Sequence, residues 1–318
     1  MTDSERSGHP VQPRLFDVAD GGRFEPEVGV IGPLRSDSQL PVARYWFRQH
    51  LINEQRPVNT LQSYHYDLTL LERKLGLKRI NEITKRDIAG YLGEAKSRST
   101  KKRRLTSVSQ FFNWLVKEER VLESDPTESF YPDKIALKTP KPLHPDEQER
   151  FLAAAIDDGP RSALMCWMML QLGLGRSELL DLEPTDIELL PDGSAEITIF
   201  PRTTRMVNKE RKLLAGTDFS ELFEAYLSER EETEKLFAIL PQSVNKMVHR
   251  ITARAGISKN VTPQTLRDTF AVHLAGEGAD EEELLNILGL ADDARNRMSV
   301  QRYLKLGGPA VNSRLAAR

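Results

Sequence analysis

Nine consecutive residues, Lys96-Ser97-Arg98-Ser99-Thr100-Lys101-Lys102-Arg103-Arg104, include six cations. Cations at that density suit phosphates, whose neutralisation releases condensed counterions. The run leads into Leu105, Val108, Phe111, Phe112 and Leu115, an apolar stripe at helical spacing. The charges therefore sit at a helix N-terminus, where free backbone N–H groups add to the pull on an anion. A second basic set, Arg202, Arg205 and Lys209, falls between two short strand-like segments. A solvated charged surface is the competing reading of such runs. Other chemistries have less support. The six histidines (His9, His50, His65, His144, His249, His273) show no pairing at ligand spacing, so no metal site is expected. Cys166, the lone cysteine, lies in ALMCWMMLQL and reads as a buried thiol in a reducing cytoplasm. No stretch approaches the ~20 apolar residues of a membrane helix. MTDSERSGHP has neither the basic nor the apolar part of a signal peptide. No membrane partner is expected, and a cytoplasmic location is.

The elements that must carry these residues divide by charge. Residues 38–142 hold 20 basic and 12 acidic side chains, net +8, whereas residues 143–318 hold 21 and 28, net −7. A cationic module joined to an acidic one points to double-stranded DNA as partner of the first. Residues 1–37, rich in Gly, Pro and acids, read as a mobile tail. Inside it Gln12 to Phe16 (QPRLF) has the Q-x-x-L-F spacing of peptides that dock on sliding clamps. Residues 38–125 read as a helical DNA-binding domain, with Leu61, Tyr64, Leu68, Leu71 and Leu75 on one face and Thr60 as a capping candidate. Residues 126–145, proline-rich and cationic, read as a linker. Residues 146–318 form the second domain, whose helices begin at Pro145-Asp146-Glu147-Gln148. Residues 195–215 form a hairpin in it, and further helices run over 218–231, 242–255, 264–276, 280–288 and 297–305. The fold class is mainly α with a small β hairpin or sheet.

Seven segments in order resemble the boxes of the tyrosine recombinases, the family of phage integrases and Xer-type proteins. NTLQSYHYDLTLLERKL and KKRRLTSVSQFFNWLVKEE resemble the helical, SAM-like core-binding domain. TPKPLHPDEQERFLAAA, GLGRSELLDLEPTDIEL, EITIFPRTTRMVNKERKLL, VTPQTLRDTFAVHLAGEGADEEELLNILGL and SVQRYLKL resemble the catalytic domain. The resemblance implies attack by a tyrosine on a DNA phosphodiester, giving a 3′-phosphotyrosine, with no metal and no cofactor. Two arginines would clamp the phosphate, a lysine would protonate the leaving oxygen, and histidines would assist.

Carried over residue by residue, the resemblance places the nucleophile at Tyr303 and one clamping arginine at Arg267. Gly175 stands where the other arginine belongs, with Arg176 one residue later. A one-residue slip turns a helical side chain by ~100°, so Arg176 is either a relocated clamp or a bystander. Met206 stands at the lysine position, or Arg202 in an alternative register, and Lys209 is the only lysine of the tip. Gln264 and Leu290 occupy the two histidine positions, and Asp268 follows Arg267 where a further histidine is common. Methionine has no proton to donate, and glutamine accepts none near neutrality. The expectation is a DNA-binding member with weakened or lost cleavage and an architectural or regulatory role, alone or with an active homologue. The alternatives are an active recombinase with an atypical site, a type IB topoisomerase or telomere resolvase, and a helical adaptor that binds no DNA. Beyond Tyr303, Gly307-Gly308-Pro309 reads as a hinge before Val311 and Leu315, through which copies would associate on DNA.

Overall fold

The computed structural model describes residues 32–135, 137–200 and 210–308. Gln12–Phe16, Arg202, Arg205, Met206, Lys209, Pro309, Val311 and Leu315 lie outside the described residues. The chain divides into two compact units, residues 1–136 and 137–318.

The first unit is a helical bundle of α1 (Leu40–Asn53), α2 (Val58–Leu75), α3 (Lys85–Gly93) and α4 (Arg98–Lys117). Local chemistry sets two of the starts. Thr84 Oγ1 accepts from Asp87 N ahead of α3, and Ser97 Oγ accepts from Thr100 N ahead of α4. Each satisfies an amide that the helix leaves without a partner. For α2 the cap position is Pro57, and Thr60 lies inside the helix. The apolar stripes converge on Phe47, Leu68, Tyr91, Phe111, Phe112 and Leu115. Each such side chain stabilises the bundle by about 1.5–3 kcal/mol when buried.

The second unit begins with α5 (Pro145–Asp157), α6 (Pro160–Gln171) and α7 (Arg176–Asp181). Strands β1 (Ile187–Leu189), β2 (Ala195–Ile199) and β3 (Arg211–Ala215) follow as an antiparallel sheet in the order β1-β2-β3. The hairpin expected over 195–215 is there, with Ile199 opposite Arg211. Strand β1 adds a third ladder, pairing Ile187 with Ile197; three residues are too few for alternation to signal it. The chain continues through α8 (Thr217–Glu229), α9 (Pro241–Arg254), α10 (Pro263–Gly276), α11 (Glu281–Ile287) and α12 (Ala294–Gly307). Helix α12 begins three residues earlier than the expected 297 and is capped by Asp293, whose side chain accepts from Asn296 N. A large core centred on Phe151, Met165, Phe219, Val248 and Leu266 packs the helices around the sheet. Cys166 is fully buried in it, and burial raises its thiol pKa.

The segment 126–145 is shared between the units. Thr127 is buried and Phe130 packs on the first core, whereas Leu143 belongs to the second core and donates its N–H to Thr269 Oγ1. Among the described residues no helix is long and apolar enough to cross a membrane, and no group of three His, Cys, Asp or Glu side chains could hold a metal ion.

Candidate functional site

In the second unit, α10 and α12 carry Arg267 and Tyr303, the clamp and the nucleophile that the family resemblance implies. Thr262 caps α10 by accepting from Thr265 N, and Pro263 sits in its first turn. This sets the phase that turns Leu266 inward and leaves Arg267 at the rim of the core. The end of α12 lies close against α10 because of glycine: a Cβ on Gly307 would overlap Val272 O and lie 2.7 Å from Gly276 N. That approach buries Tyr303 to 6 % exposure in a small cluster with Ala271, Leu284, Leu288 and Val300. Its hydroxyl donates to Asp268 Oδ1 at 2.7 Å, and Gln264 Nε2 donates to the same oxygen at 2.9 Å. Burial first, then the Asp268 charge, push the Tyr303 phenol well above the ordinary tyrosine value. Leu290 packs against this cluster as an apolar side chain.

Arg267 is fixed by three acceptors. Nη1 donates to Gly173 O at 2.8 Å and to Glu178 Oε2 at 2.7 Å, and Nη2 donates to Leu288 O. Glu178 lies in α7 and also accepts from Gly175 N at 2.7 Å. Burial works to raise the Glu178 carboxyl pKa, but Arg267, Arg211 and the Gly175 N–H hold it below the ordinary glutamate range. Gly175 is the residue before α7, and a Cβ there would stand 3.0 Å from Arg267 Nη1 and 3.1 Å from Glu178 Oε2. The space that an arginine would need at Gly175 is thus partly taken by Arg267. Arg176 does not join this group; its Nη1 donates to Asn245 Oδ1 of α9 at 3.2 Å.

One member of the group is absent from the expectations above. Arg211, the first residue of β3, places Nη1 2.8 Å from Glu178 Oε1. The sequence does hold a signal for it. Alternation along β3 puts Arg211 on the same face as the buried Leu213 and Ala215, an unusual place for a cation.

The basic run of the first unit is divided in its commitments. Lys96, Arg98, Lys101 and Lys102 are exposed at the start of α4. Arg103 forms an ion pair at 2.7 Å with Asp67, which is fully buried and also accepts from Ser107 Oγ at 2.7 Å. Arg104 lies 4.8 Å over the Tyr91 ring and donates to Tyr91 O at 3.1 Å.

The profile described as the Phage integrase family matches residues 141–306, more than half of the chain. The chain belongs to the phage integrase family, the family of the tyrosine recombinases. The profile of the phage integrase N-terminal SAM-like domain matches residues 45–119, which cover most of the first unit. Tyrosine recombinase XerD of Oceanobacillus iheyensis is 29 % identical over 258 residues, covering 74 % of this chain and 84 % of that protein. Tyrosine recombinase XerC of Anoxybacillus flavithermus is 28 % identical over 260 residues, covering 73 % and 83 %. Among solved structures, a lambda integrase dimer bound to a COC′ core site is similar in fold, with a TM-score of 0.67 and 16 % identity over 86 % of this chain and 79 % of that one. XerH bound to palindromic difH substrate, a post-cleavage complex, gives a TM-score of 0.62 and 22 % identity over 80 % and 77 %. The fold is therefore that of a SAM-like helical domain followed by a recombinase-type catalytic domain.

Proposed function

We propose that this integrase-family chain binds double-stranded DNA and serves site-specific recombination as an architectural or regulatory member, with strand cleavage weakened or lost. The observation that carries this reading is the hydrogen bond from the Tyr303 hydroxyl to Asp268 at 2.7 Å. A phenol attacks phosphorus only as it gives up its proton. Here the proton is held by burial and by an adjacent carboxylate, which is a weak base and repels an incoming phosphate. In the residue-by-residue carry-over, Gln264 and Leu290 stand where imidazoles would assist. General acid–base help of that kind is worth roughly 10²–10⁴-fold in rate. The DNA-holding role draws on the exposed Lys96, Arg98, Lys101 and Lys102 and on the fixed Arg267. The related lambda integrase and XerH structures, one of them a dimer, contain bound DNA. Copies of this chain, or this chain with an active homologue, would assemble on duplex DNA in the same manner, in the cytoplasm.

A second reading, an active recombinase with an atypical site, is favoured by Arg267 and Tyr303 lying on adjacent helices with Asp268 in reach of the tyrosine proton. In that case Tyr303 Oη bonds to phosphorus, the phosphorus–5′-oxygen bond breaks, the phenolic proton passes to Asp268, and the leaving 5′-oxygen takes a proton from water. A suicide-substrate assay on nicked duplexes separates the two. Duplex binding without a covalent protein–DNA band is the expected result; a band abolished by Tyr303→Phe would establish the second reading instead.

A further inference from the structure

Arg211 is a largely buried cation to which the proposed function gives no role. Its side chain is 11 % exposed, and its ion pair with Glu178 uses Nη1 alone. Nε and Nη2 are buried and bond to no group among the described residues. Gly289, at φ +58°, makes room for the guanidinium, since a Cβ there would overlap Arg211 Nη1.

Two features argue against a purely structural ion pair. One arginine is enough to neutralise Glu178, and Arg267 already does so at 2.7 Å. A second desolvated guanidinium on the same carboxylate leaves the cluster with a formal excess of positive charge. Of residues 201–210, which lead into β3, only Glu210 is acidic, and it is exposed to solvent. Two cations held near each other with buried N–H groups to spare are costly unless an anion completes the set. A phosphate suits these spare donors, because a guanidinium presents paired N–H groups that match two phosphate oxygens.

We infer that Arg211 and Arg267, held by the two oxygens of Glu178, form an anion site that grips one backbone phosphate of bound DNA. Arg211 supplies from the sheet the second guanidinium that Gly175 does not supply from α7. This inference rests on the reading that the chain binds duplex DNA. Arg211 is the new member of the site, and its charge counts among the phosphate contacts.

The test is duplex affinity of the full chain across a salt series for the unaltered protein, Arg211→Gln and Arg211→Lys, with thermal unfolding alongside. Arg211→Gln should bind roughly ten- to a hundredfold more weakly, the range for a hydrogen bond to a charged group. Its plot of log affinity against log salt should lose about one unit of slope, as for one phosphate contact removed. A residue that only shapes the protein would lower the unfolding temperature and leave that slope unchanged. Arg211→Lys should keep the slope, because the charge stays, yet bind more weakly because the fork is gone. If Arg211→Gln fails to fold, Arg211→Lys decides: affinity equal to the unaltered protein would overturn the inference. An unchanged slope in a folded Arg211→Gln would overturn it as well. A chain that binds no duplex in any form would overturn the proposed function and this inference with it.

Discussion

Asp67 in the first unit and Glu178 in the second are both carboxylates withdrawn from water and paired with arginine, yet the balance of charge runs in opposite directions. Asp67 is completely buried and has one paired guanidinium, that of Arg103, plus the Ser107 hydroxyl. Burial dominates there and raises its pKa against the pull of Ser107, Arg103 and Arg104. Glu178 has two guanidiniums and a backbone N–H, and its pKa is lowered in spite of burial. In the first unit Arg103 gives Nη1 to a buried carboxylate while its side chain stays 41 % exposed. In the second a carboxylate holds two cations in place and leaves donors over. An arginine near a basic patch is therefore not by itself a ligand for phosphate.

The largest effect that would break this contrast is on stability. Arg103→Met strands the Asp67 carboxylate and should cost the first unit about 3 kcal/mol, the low end for a buried pair broken on one side, because Ser107 still donates. Denaturant unfolding followed by probes in each unit should show the first transition shift and the second stay.

Next in size is Asp158, 4 % exposed, which accepts from Arg250 Nε at 2.9 Å and from Ser162 Oγ at 2.7 Å and pairs with Arg254. Asp158→Asn should cost the second unit about 1–3 kcal/mol. The unaltered protein carries the matching pH signature. The Arg250 hydrogen bonds, ahead of the Ser162 bond and the Arg254 charge, hold Asp158 at about 2 against an ordinary 3.8 despite some desolvation. Its contribution is complete above 3.8 and is lost as pH falls toward 2. His65 in the first unit acts earlier: partial desolvation first, then Arg44 and Arg48, lower its pKa from 6.5 to about 4, although the residue stays exposed to solvent. The unfolded chain takes up that proton before the folded one, so the first unit should weaken as pH falls from 6.5 toward 4. On acidification the first unit should thus respond before Asp158 does, which unfolding monitored in each unit would reveal.

A smaller effect sharpens the comparison directly. Arg211→Met should cost about 1 kcal/mol or less, since Arg267 keeps Glu178 paired and the unused buried donors are removed. A loss as large as that of Arg103→Met would place the two arginines in the same structural class.

The smallest effect is spectroscopic. Asp268→Asn removes the charge beside Tyr303, so the phenol should ionise at lower pH than in the unaltered protein, though still above an ordinary tyrosine because burial persists. An ultraviolet titration, referenced to Tyr303→Phe, would read it.

Much of the fold was legible because it rests on interactions within a few residues. Thr84, Ser97, Thr262, Asp280 and Asp293 each accept from a backbone N–H three residues on, and apolar spacing gave the buried faces of the helices. Strand β1 was missed because its ladder partner, not its three residues, makes it a strand. Thr60 was misread as a cap because a helix can also open on Pro57 with no side-chain cap. At the candidate site, box order points to Tyr303, Arg267 and Gly175, but not to the partners of any of them.

The sequence by itself determined the mainly helical class, the cationic and acidic halves, and the residue types available for phosphate chemistry, because composition, periodicity and capping are local properties of a chain. Only the tertiary structure decided how those residues are committed. It gave Arg103 to Asp67, Arg104 to Tyr91, Arg176 to Asn245 and the Tyr303 proton to Asp268, and it brought Arg211 to Glu178. Hydrogen-bonding capacity belongs to a residue type, but its use depends on which groups the packed core brings within about 3 Å. The Tyr303–Asp268 pair spans 35 positions of chain, a separation across which local pattern transmits nothing.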